Sequence, residues 1–371
     1  MPPNIIFILL DGSRCDRLNY SKEFQNLQKK GTLLNNISTA YPYTFAAINA
    51  IFTGKFGKEN GVDAYYKMFR LKDTIPFLPE ILQNNGYFTV CDLISDKVIS
   101  KRGFDIHQSH DEYNDNLLKR HPDFIKKIFS ESNKKPIFAF LQFSNIHTVT
   151  VTEVLKKYEW DDRKYYDNIN NNIENYDGAF VKSTKYASKI YETLEKLGKL
   201  DDTIIIFFTD HGTGVGERFG ERNYGVFLFE ETIRTYHLFI GPNIQENKIS
   251  DKLFSSIQLF PTILELAEIE YSNLSQKKSL VSYIKNSDES FPEELFTFSE
   301  TGGLQGPYPS PKEPNVFCIK NSKFKLIYYK TPDNYELYNL KDDPDEKINL
   351  FGTNLPIEKE LMSHLISWIN R

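Results

Sequence analysis

The side chains best suited to chemistry in this chain are a carboxylate and an imidazole side by side, Asp210 and His211, and a second carboxylate, Asp11. Two carboxylates and one imidazole suit Mn²⁺ or Zn²⁺, with Mg²⁺ or Ca²⁺ as weaker alternatives. A divalent ion held against the hydroxyl of Thr44 would lower the pKa of that hydroxyl and polarise an ester oxygen. The sequence therefore predicts one divalent ion with the ligands Asp11, Thr44, Asp210 and His211.

Three apolar runs have the length and composition of strands that are buried on both faces. They are Asn4 to Leu10, Ile137 to Phe143 and Ile204 to Phe208. Each run ends in polar residues, and open α/β sheets bind ligands beyond the carboxyl ends of their strands. Taken alone, Asp11-Gly12 could simply start a turn. Asp210-His211 could likewise be an ordinary polar loop that follows a strand. Together the runs favour an α/β fold with a mostly parallel central sheet flanked by helices.

Thr44 follows the extended segment Tyr41-Pro42-Tyr43 and has the chemistry to cap a helix from Phe45 to Phe52. A hydroxyl at a helix N-terminus faces the positive end of the helix dipole, which suits an anion or an alkoxide. An ordinary N-cap threonine remains the alternative. Arg14 is close enough to Asp11 in sequence to clamp a phosphoryl oxygen, or else it pairs with Asp16 on the surface.

The remaining histidines and the segment 158–177 offer weaker signals. A second ion would have to draw on Asp177 or on His237, which we expect to be a buried, hydrogen-bonded strand residue. The Asn- and Tyr-rich segment 158–177 is typical of a surface lid or substrate loop, followed by an amphipathic helix. Four histidines have no other metal ligands around them in the sequence and are expected at the surface: His107, His110, His121 and His364.

The overall composition excludes several classes of protein. The 371 residues carry a net charge of −5 with no broad basic region, which argues against nucleic-acid binding. Three scattered cysteines without metal spacing argue against a disulfide framework. No apolar run approaches the ~20 residues of a membrane helix, and the first residues lack the features of a signal peptide. We therefore expect a cytoplasmic protein acting on a small molecule, as a monomer or a homo-oligomer.

Several motifs together resemble the sulfatase branch of the alkaline phosphatase superfamily. They are Leu10-Asp11-Gly12-Ser13-Arg14, Thr44 with Thr53-Gly54, Leu78 to Leu82 before Gly86-Tyr87, Asp210-His211, Phe229 to Arg234, and Glu336 to Leu350. The resemblance spans nearly the whole chain. It implies a catalytic domain over residues 1–290 and a small C-terminal subdomain over residues 291–371, with an antiparallel sheet and a helix.

The same resemblance implies roles for two residues. In the family, the nucleophile opens a motif of the form Cys/Ser-x-Pro-Ser-Arg, four residues, then Thr-Gly, which places Thr44 at the nucleophile position. A histidine in the segment after the run Ile137 to Phe143 lies beside the leaving group or the substrate oxyanion in the family. His147 is therefore the predicted general acid, a role that suits a side chain titrating near neutral pH.

The chain also departs from the family pattern around the nucleophile. Formylglycine-using sulfatases need Cys or Ser at position 44, whereas Thr44 is followed by Ala46, Ala47 and Ile48 in place of Pro, Ser and Arg. The Lys-Trp-His-Leu-Gly block is absent, and Arg222 is the nearest cation to a lysine usually found near Gly225. Most cations that bind sulfate are thus missing.

From these departures we expect a metal-dependent hydrolase of phosphate or phosphonate esters that forms a covalent phospho-threonine intermediate on Thr44. The alternative is a transferase that passes the phosphoryl or headgroup unit to a sugar or lipid acceptor. Sulfate ester hydrolysis and an inactive binding homologue rank below both.

Overall fold

The computed structural model describes residues 2–146, 159–286 and 290–371. The α-helices are α1 (Lys22–Gln28), α2 (Thr44–Thr53), α3 (Gly57–Asn60), α4 (Leu78–Asn84), α5 (Leu117–Glu131), α6 (Arg163–Asp167), α7 (Ile169–Lys196), α8 (Glu230–Ile233), α9 (Leu259–Leu266), α10 (Val281–Asn286) and α11 (Pro356–Ile369). The strands are β1 (Asn4–Leu10), β2 (Gly31–Ser38), β3 (Phe88–Leu93), β4 (Ile106–Ser109), β5 (Ile137–Phe143), β6 (Thr203–Phe208), β7 (Arg234–Ile240), β8 (Lys248–Ser250), β9 (Phe254–Ser255), β10 (Thr297–Thr301), β11 (Val316–Lys320), β12 (Phe324–Tyr329) and β13 (Asn334–Asn339).

A nine-stranded, mostly parallel sheet forms the centre of the fold, as predicted. Its order is β4-β3-β5-β1-β6-β7-β2-β8, with β9 also paired to β2. Strands β4, β3, β5, β1 and β6 run parallel, and β7 is antiparallel to both β6 and β2. Phe7 of β1 lies opposite Phe140 of β5 and Ile206 of β6. The carboxyl ends of β1, β5 and β6 therefore meet at one edge.

Strand β1 is apolar from Ile5 to Leu10, and both of its faces are covered. Successive side chains point to opposite faces of a sheet, so Ile5, Phe7 and Leu9 join one hydrophobic cluster. Ile6, Ile8 and Leu10 join the cluster on the other face. Burying each of these side chains contributes about 1.5–3 kcal/mol, which makes the central strands a rigid base for the loops that follow them.

The C-terminal strands form a separate antiparallel sheet in the order β10-β11-β12-β13, and α11 packs against β11 and β12. This arrangement confirms the predicted small sheet plus helix. A third cluster joins α2 residues Ala46 and Ala50 to Ile319 of β11 and Leu365 of α11. The boundary at residue 290 stays a prediction.

Two local predictions need correction. Helix α2 begins at Thr44 itself, with Tyr43 at the N-cap, because the backbone of Tyr43 is extended (φ −158°, ψ 146°). The segment predicted as a surface loop is helical over α6 and from the start of α7. The buried residue Tyr176 anchors α7 to the loop after β1. Its hydroxyl donates to the Gly12 carbonyl (2.9 Å) and accepts from the Arg14 N–H (2.7 Å).

The three cysteines are buried free thiols, and their scattered positions in the sequence argue against a disulfide framework. In the part of the chain that is described, no helix is both long enough and apolar enough to cross a membrane.

Candidate active site

Two strand ends and one helix start meet at the carboxyl edge of the central sheet. Asp11 directly follows β1, and its N–H donates to the Phe143 carbonyl at the end of β5 (3.0 Å). Gly12 then turns the chain with φ +72°, a conformation that glycine adopts without strain. Asp210 and His211 lie just past the end of β6. Because β1 and β6 are paired in parallel, these side chains converge.

Thr44 contacts this group from α2. Its Oγ1 atom lies 3.3 and 3.4 Å from the two carboxylate oxygens of Asp11 and 3.2 Å from His211 Nε2. Asp11, Asp210 and His211 are buried, whereas Thr44 is partly exposed. The hydroxyl is thus the member of the group that faces a substrate. Among the described residues no side chain caps α2, so the N–H groups of its first turn are free to face an anion.

The tautomer of His211 follows from its backbone contact. Its Nδ1 lies 2.7 Å from the Gly212 carbonyl oxygen, which can only accept, so Nδ1 carries the proton and donates it. The lone pair of Nε2 then faces Thr44 and lies 3.6 Å from Asp11 Oδ1 and 3.6 Å from Asp210 Oδ2. A ring held in this way is prepared to bind a metal through Nε2.

Asp210 gives the clearest indication of a cation. It is fully buried, and neither carboxylate oxygen accepts a hydrogen bond of normal geometry among the described residues. The Asp210 and His211 N–H groups and the Thr44 hydroxyl are nevertheless near enough to offset part of its burial. Burial and the neighbouring charge of Asp11 raise the pKa of Asp210 well above its usual range. The three residues each offer a ligand atom, and those atoms lie within 4.8 Å of one another. The donor set and the buried carboxylate both fit a divalent ion at this position.

Arg14 does not face the site as an available cation. Its guanidinium forms a bidentate pair with Asp16 (2.9 and 2.9 Å), contacts Glu217, and donates to the Thr213 carbonyl (3.2 Å). This is the pairing alternative, although the side chain is buried instead of on the surface. Two acidic partners neutralise its charge, so its role as a clamp stays a prediction.

Other predicted residues lie apart from the group. Asp177 Oδ1 lies 3.4 Å from Arg17 Nε, and Asp177 does not belong to the group of Asp11, Asp210 and His211. His237 is buried in β7, but neither ring nitrogen has a hydrogen-bond partner among the described residues, so the expectation of a hydrogen-bonded histidine was wrong. Burial alone lowers its pKa to about 3. His147 falls outside the described residues, and its role as general acid stays a prediction.

Two residues at the site were missed from the sequence. Gln142 Nε2 donates to Asp11 Oδ2 (2.6 Å), while its Oε1 accepts from the Ile94 N–H (3.2 Å), so the amide orients a metal-ligand carboxylate. A single polar residue inside the otherwise apolar strand β5 was the available signal. Tyr224 packs on the His211 ring with 4.4 Å between centroids, and no sequence signal indicated this contact.

Comparisons with known proteins identify the family. A family model for sulfatases matches residues 3–269, and a model for the C-terminal region of N-sulphoglucosamine sulphohydrolase matches residues 220–370. The chain therefore belongs to the sulfatase family.

Individual relatives agree with this assignment. An N-acetylglucosamine-6-O-sulfatase of Bacteroides thetaiotaomicron is 31% identical over 186 residues, which are 48% of this chain and 32% of that protein. A low-salt glycan biosynthesis sulfotransferase of Haloferax volcanii is 23% identical over 260 residues, 67% of this chain and 58% of that protein. A structure solved with its substrate D-glucosamine-2-N,6-O-disulfate has a TM-score of 0.75 at 19% identity, covering 99% and 97% of the two chains. This chain thus aligns with about a third of the length of several curated sulfatases.

The predicted phosphate or phosphonate ester chemistry, including phosphoryl transfer, is wrong. The matching relatives are mainly sulfatases, which points to sulfate esters. The prediction rested on the departures at Thr44, Ala46 and Ile48. Those departures change the chemistry of the nucleophile position but leave the fold and the acidic and imidazole ligands of the site in place.

Proposed function

We propose that this chain is a metal-dependent sulfate ester hydrolase that acts on a sulfated sugar, with Thr44 as the nucleophile. The observation that carries the proposal is the position of Thr44 Oγ1, 3.2 Å from His211 Nε2 and 3.3 Å from Asp11, at the start of α2 in a sulfatase-family fold. The sugar comes from the relatives named above, one a sulfatase of a sulfated N-acetylglucosamine and one bound to a sulfated glucosamine.

Each group of the site has a separate role in such a reaction. A bound divalent ion would act as a Lewis acid toward the ester oxygen and lower the pKa of the Thr44 hydroxyl. Thr44 donates its proton toward Asp11 and attacks the sulfur, and the bond from sulfur to the sugar oxygen breaks. The N–H groups at the start of α2 face the sulfate oxygens. His147 is the predicted donor of the proton that the leaving sugar oxygen needs.

Threonine at this position changes how the sulfate is released. Thr44 cannot be converted to the formylglycine that the Cys or Ser of related enzymes provides. The covalent product is therefore a plain sulfate ester of Thr44, and water must attack its sulfur to release inorganic sulfate and restore the hydroxyl. The second step is thus expected to be slow unless a residue of the site activates that water.

A substrate panel tests the proposal. The purified protein would be assayed with N-acetylglucosamine 6-sulfate, an aryl sulfate and the matching aryl phosphate, each with Mn²⁺, Zn²⁺, Mg²⁺ or Ca²⁺ present. We expect sulfate release from the sulfate esters only, dependent on added metal. Faster cleavage of the aryl phosphate, or metal-independent sulfate release, would contradict the proposal.

Sulfuryl transfer is the second candidate, because a relative aligned over 260 residues is a sulfotransferase of glycan biosynthesis. A stable sulfate ester on Thr44 would favour attack by an acceptor hydroxyl over attack by water. Adding N-acetylglucosamine or another free sugar to the aryl sulfate assay distinguishes the two. Transfer predicts a sulfated sugar and faster phenol release, whereas hydrolysis predicts free sulfate and no effect of the sugar.

The role of His147 as general acid can be tested by comparing two leaving groups. If His147 protonates the departing oxygen, His147→Gln should slow cleavage of the sugar sulfate much more than cleavage of a nitrophenyl sulfate, because nitrophenolate needs no proton to leave. Equal losses on both substrates would remove this role.

A further inference from the structure

A second group of ionisable side chains lies buried away from Thr44. Asp92 is on β3, His110 follows β4, and His121 is in α5. Each offers a ligand atom, and these atoms lie within 4.8 Å of one another. The expectation that His110 and His121 are surface residues was wrong, since their exposed fractions are 5% and 0%.

The two imidazoles face Asp92 through different nitrogens, His110 through Nδ1 and His121 through Nε2. His110 Nδ1 lies 2.9 Å from Asp92 Oδ1 and must donate to that carboxylate. His121 Nδ1 lies 2.6 Å from the Tyr186 hydroxyl. The Tyr186 contact thus orients the His121 ring, as metal-binding histidines are usually held. The Nδ1 proton of His110 lies between the His110 ring and Asp92, which is the position that an ion would take in place of the proton.

The nitrogen of His121 that faces Asp92 is left without a partner. His121 Nε2 is buried and has no hydrogen bond among the described residues. His121 Nε2 faces Asp92 Oδ2 from 3.8 Å, too far for a hydrogen bond.

We propose that Asp92, His110 and His121 form a second divalent-metal site, distinct from the site at Thr44. Two imidazoles and one carboxylate suit Zn²⁺ best among the common ions. The ion would join β3, the segment after β4 and α5, three parts of the chain that are distant in sequence. The proposal does not depend on the ester that the chain cleaves.

Arg120 competes for the same carboxylate. Asp92 Oδ2 accepts from Arg120 Nε (2.7 Å) and from Gln108 Nε2 (2.8 Å), and an ion bound at this oxygen must displace the charged guanidinium. Arg120 is well placed to leave, because its side chain is 31% exposed and its other nitrogens already contact Asp115 (3.5 Å) and the Ser109 carbonyl (3.0 Å). Arg120→Gln should therefore tighten Zn²⁺ binding at least about threefold, as removal of a competing positive charge requires.

Zinc content measured by mass spectrometry tests the proposal. The full chain would be stripped with a chelator, dialysed against Zn²⁺, and then dialysed against metal-free buffer. Asp210→Asn disables the site at Thr44 without touching the second group, and we expect this variant to keep one Zn²⁺ per chain. Adding His121→Gln to that variant should remove the remaining equivalent.

His107→Gln is the matched control, because His107 is a nearby histidine of β4 that does not belong to the group. It should leave the zinc content unchanged. An Asp210→Asn protein without zinc would overturn the proposal, as would an equal zinc content in the variant that also carries His121→Gln. His110→Gln repeats the test if His121→Gln fails to fold by near-ultraviolet circular dichroism, and an unchanged zinc content in that variant would equally overturn it.

Discussion

Position 44 carries a secondary alcohol among three metal-ligand side chains, so removing its oxygen should separate binding from catalysis. Thr44→Ala leaves Asp11, Asp210 and His211 in place, and metal binding should change little. Turnover of a sulfate ester should fall at least about a thousandfold, since losing a nucleophile removes the covalent route. Steady-state rates measure the loss of turnover, and the metal content of the variant measures whether binding is retained. Thr44→Ser is the control that keeps a hydroxyl, and near-normal rates in Thr44→Ala would exclude this residue as nucleophile.

Asp210 should affect stability in opposite directions with and without metal. In the metal-free protein the Asp210 carboxyl group is buried without a hydrogen bond of normal geometry among the described residues, and because its pKa is raised it must either take up a proton on folding or hold a buried charge. Asp210→Asn removes this cost and should stabilise the metal-free protein by roughly 1–3 kcal/mol. The same change should abolish most of the rise in Tm that metal gives the natural protein. Denaturant unfolding and thermal scans measure the two effects, and a destabilised metal-free variant would contradict this account.

At the residue scale, the sequence was informative where a polar side chain ends an apolar run. Asp11, Asp210 and His211 were found in this way, because parallel strands bring their carboxyl ends together. Gln142 and Tyr224 were missed because their roles depend on which side chain the fold brings opposite them. The same reason explains the error about His110 and His121, whose partner Asp92 is on another strand.

At the element scale, the segment before α2 is held by the C-terminal sheet. Tyr41 donates to Glu300 of β10 (2.5 Å) and accepts from the Gly57 N–H (2.6 Å). The Glu300 N–H donates to the Ala40 carbonyl (3.0 Å), and the Ser299 hydroxyl donates to the Thr39 carbonyl (2.6 Å). These contacts fix the entry of the chain into α2 and therefore the position of its first residue.

This contact predicts a pH dependence of stability. Burial raises the pKa of Glu300 to about 7, although the Tyr41 hydrogen bond opposes the shift. The folded state then holds a proton that the unfolded state releases above pH ~4.5, so stability is lost as the pH rises from about 4.5 to 7. A shift of this size corresponds to about 3 kcal/mol. Glu300→Gln keeps an acceptor for Tyr41 and should remove this part of the decline.

Unfolding free energies at several pH values, compared between the natural protein and Glu300→Gln, isolate this carboxyl from others that titrate nearby. Glu313→Gln serves as control, because the Glu313 side chain is 66% exposed. Parallel pH profiles for the natural protein and Glu300→Gln would show that Glu300 does not titrate in this range.

Elements were predictable where the local pattern and the tertiary environment agree. The bounds of β1 and β5 match the apolar runs residue for residue, since every position in these strands is buried. The start of α7 was missed because its first turns are rich in asparagine, which has low helix propensity. Tertiary anchoring through Tyr176 outweighs that preference.

At the scale of the whole molecule, a buried charge network joins the two sheets. Glu230 of α8 contacts Lys320 of β11 (3.0 Å) and Lys325 of β12 (3.1 Å). Lys325 also pairs with Glu346 (2.5 Å), whose other oxygen accepts from the Glu230 N–H (2.7 Å). Burial opposes ionisation of Glu230, yet the two lysines hold its pKa well below the usual range. The motifs around Glu230 and Glu346 therefore connect the C-terminal sheet to the catalytic core.

Removing one lysine from this network should destabilise the whole protein. Lys325→Met removes the lysine that pairs with Glu346 and one of the cations that act on Glu230. Breaking such a buried pair typically costs about 3–5 kcal/mol. Adding Glu346→Gln to this variant removes the stranded charge and should recover part of the loss, a coupling that a double-mutant cycle measures.

The exposed pair of Lys347 and Asp345 gives the contrast, since both side chains are about 70% exposed and Lys347→Met should change stability little. Denaturant unfolding of Lys325→Met, Glu346→Gln, their double variant and Lys347→Met shows whether the buried pairs, and not the net charge alone, stabilise the protein. Equal effects of Lys325→Met and Lys347→Met would mean that the network does not hold the C-terminal sheet in place. If it does, the destabilised Lys325→Met protein should also lose the Tyr41–Glu300 contact and, with it, the position of Thr44, so activity should fall together with stability.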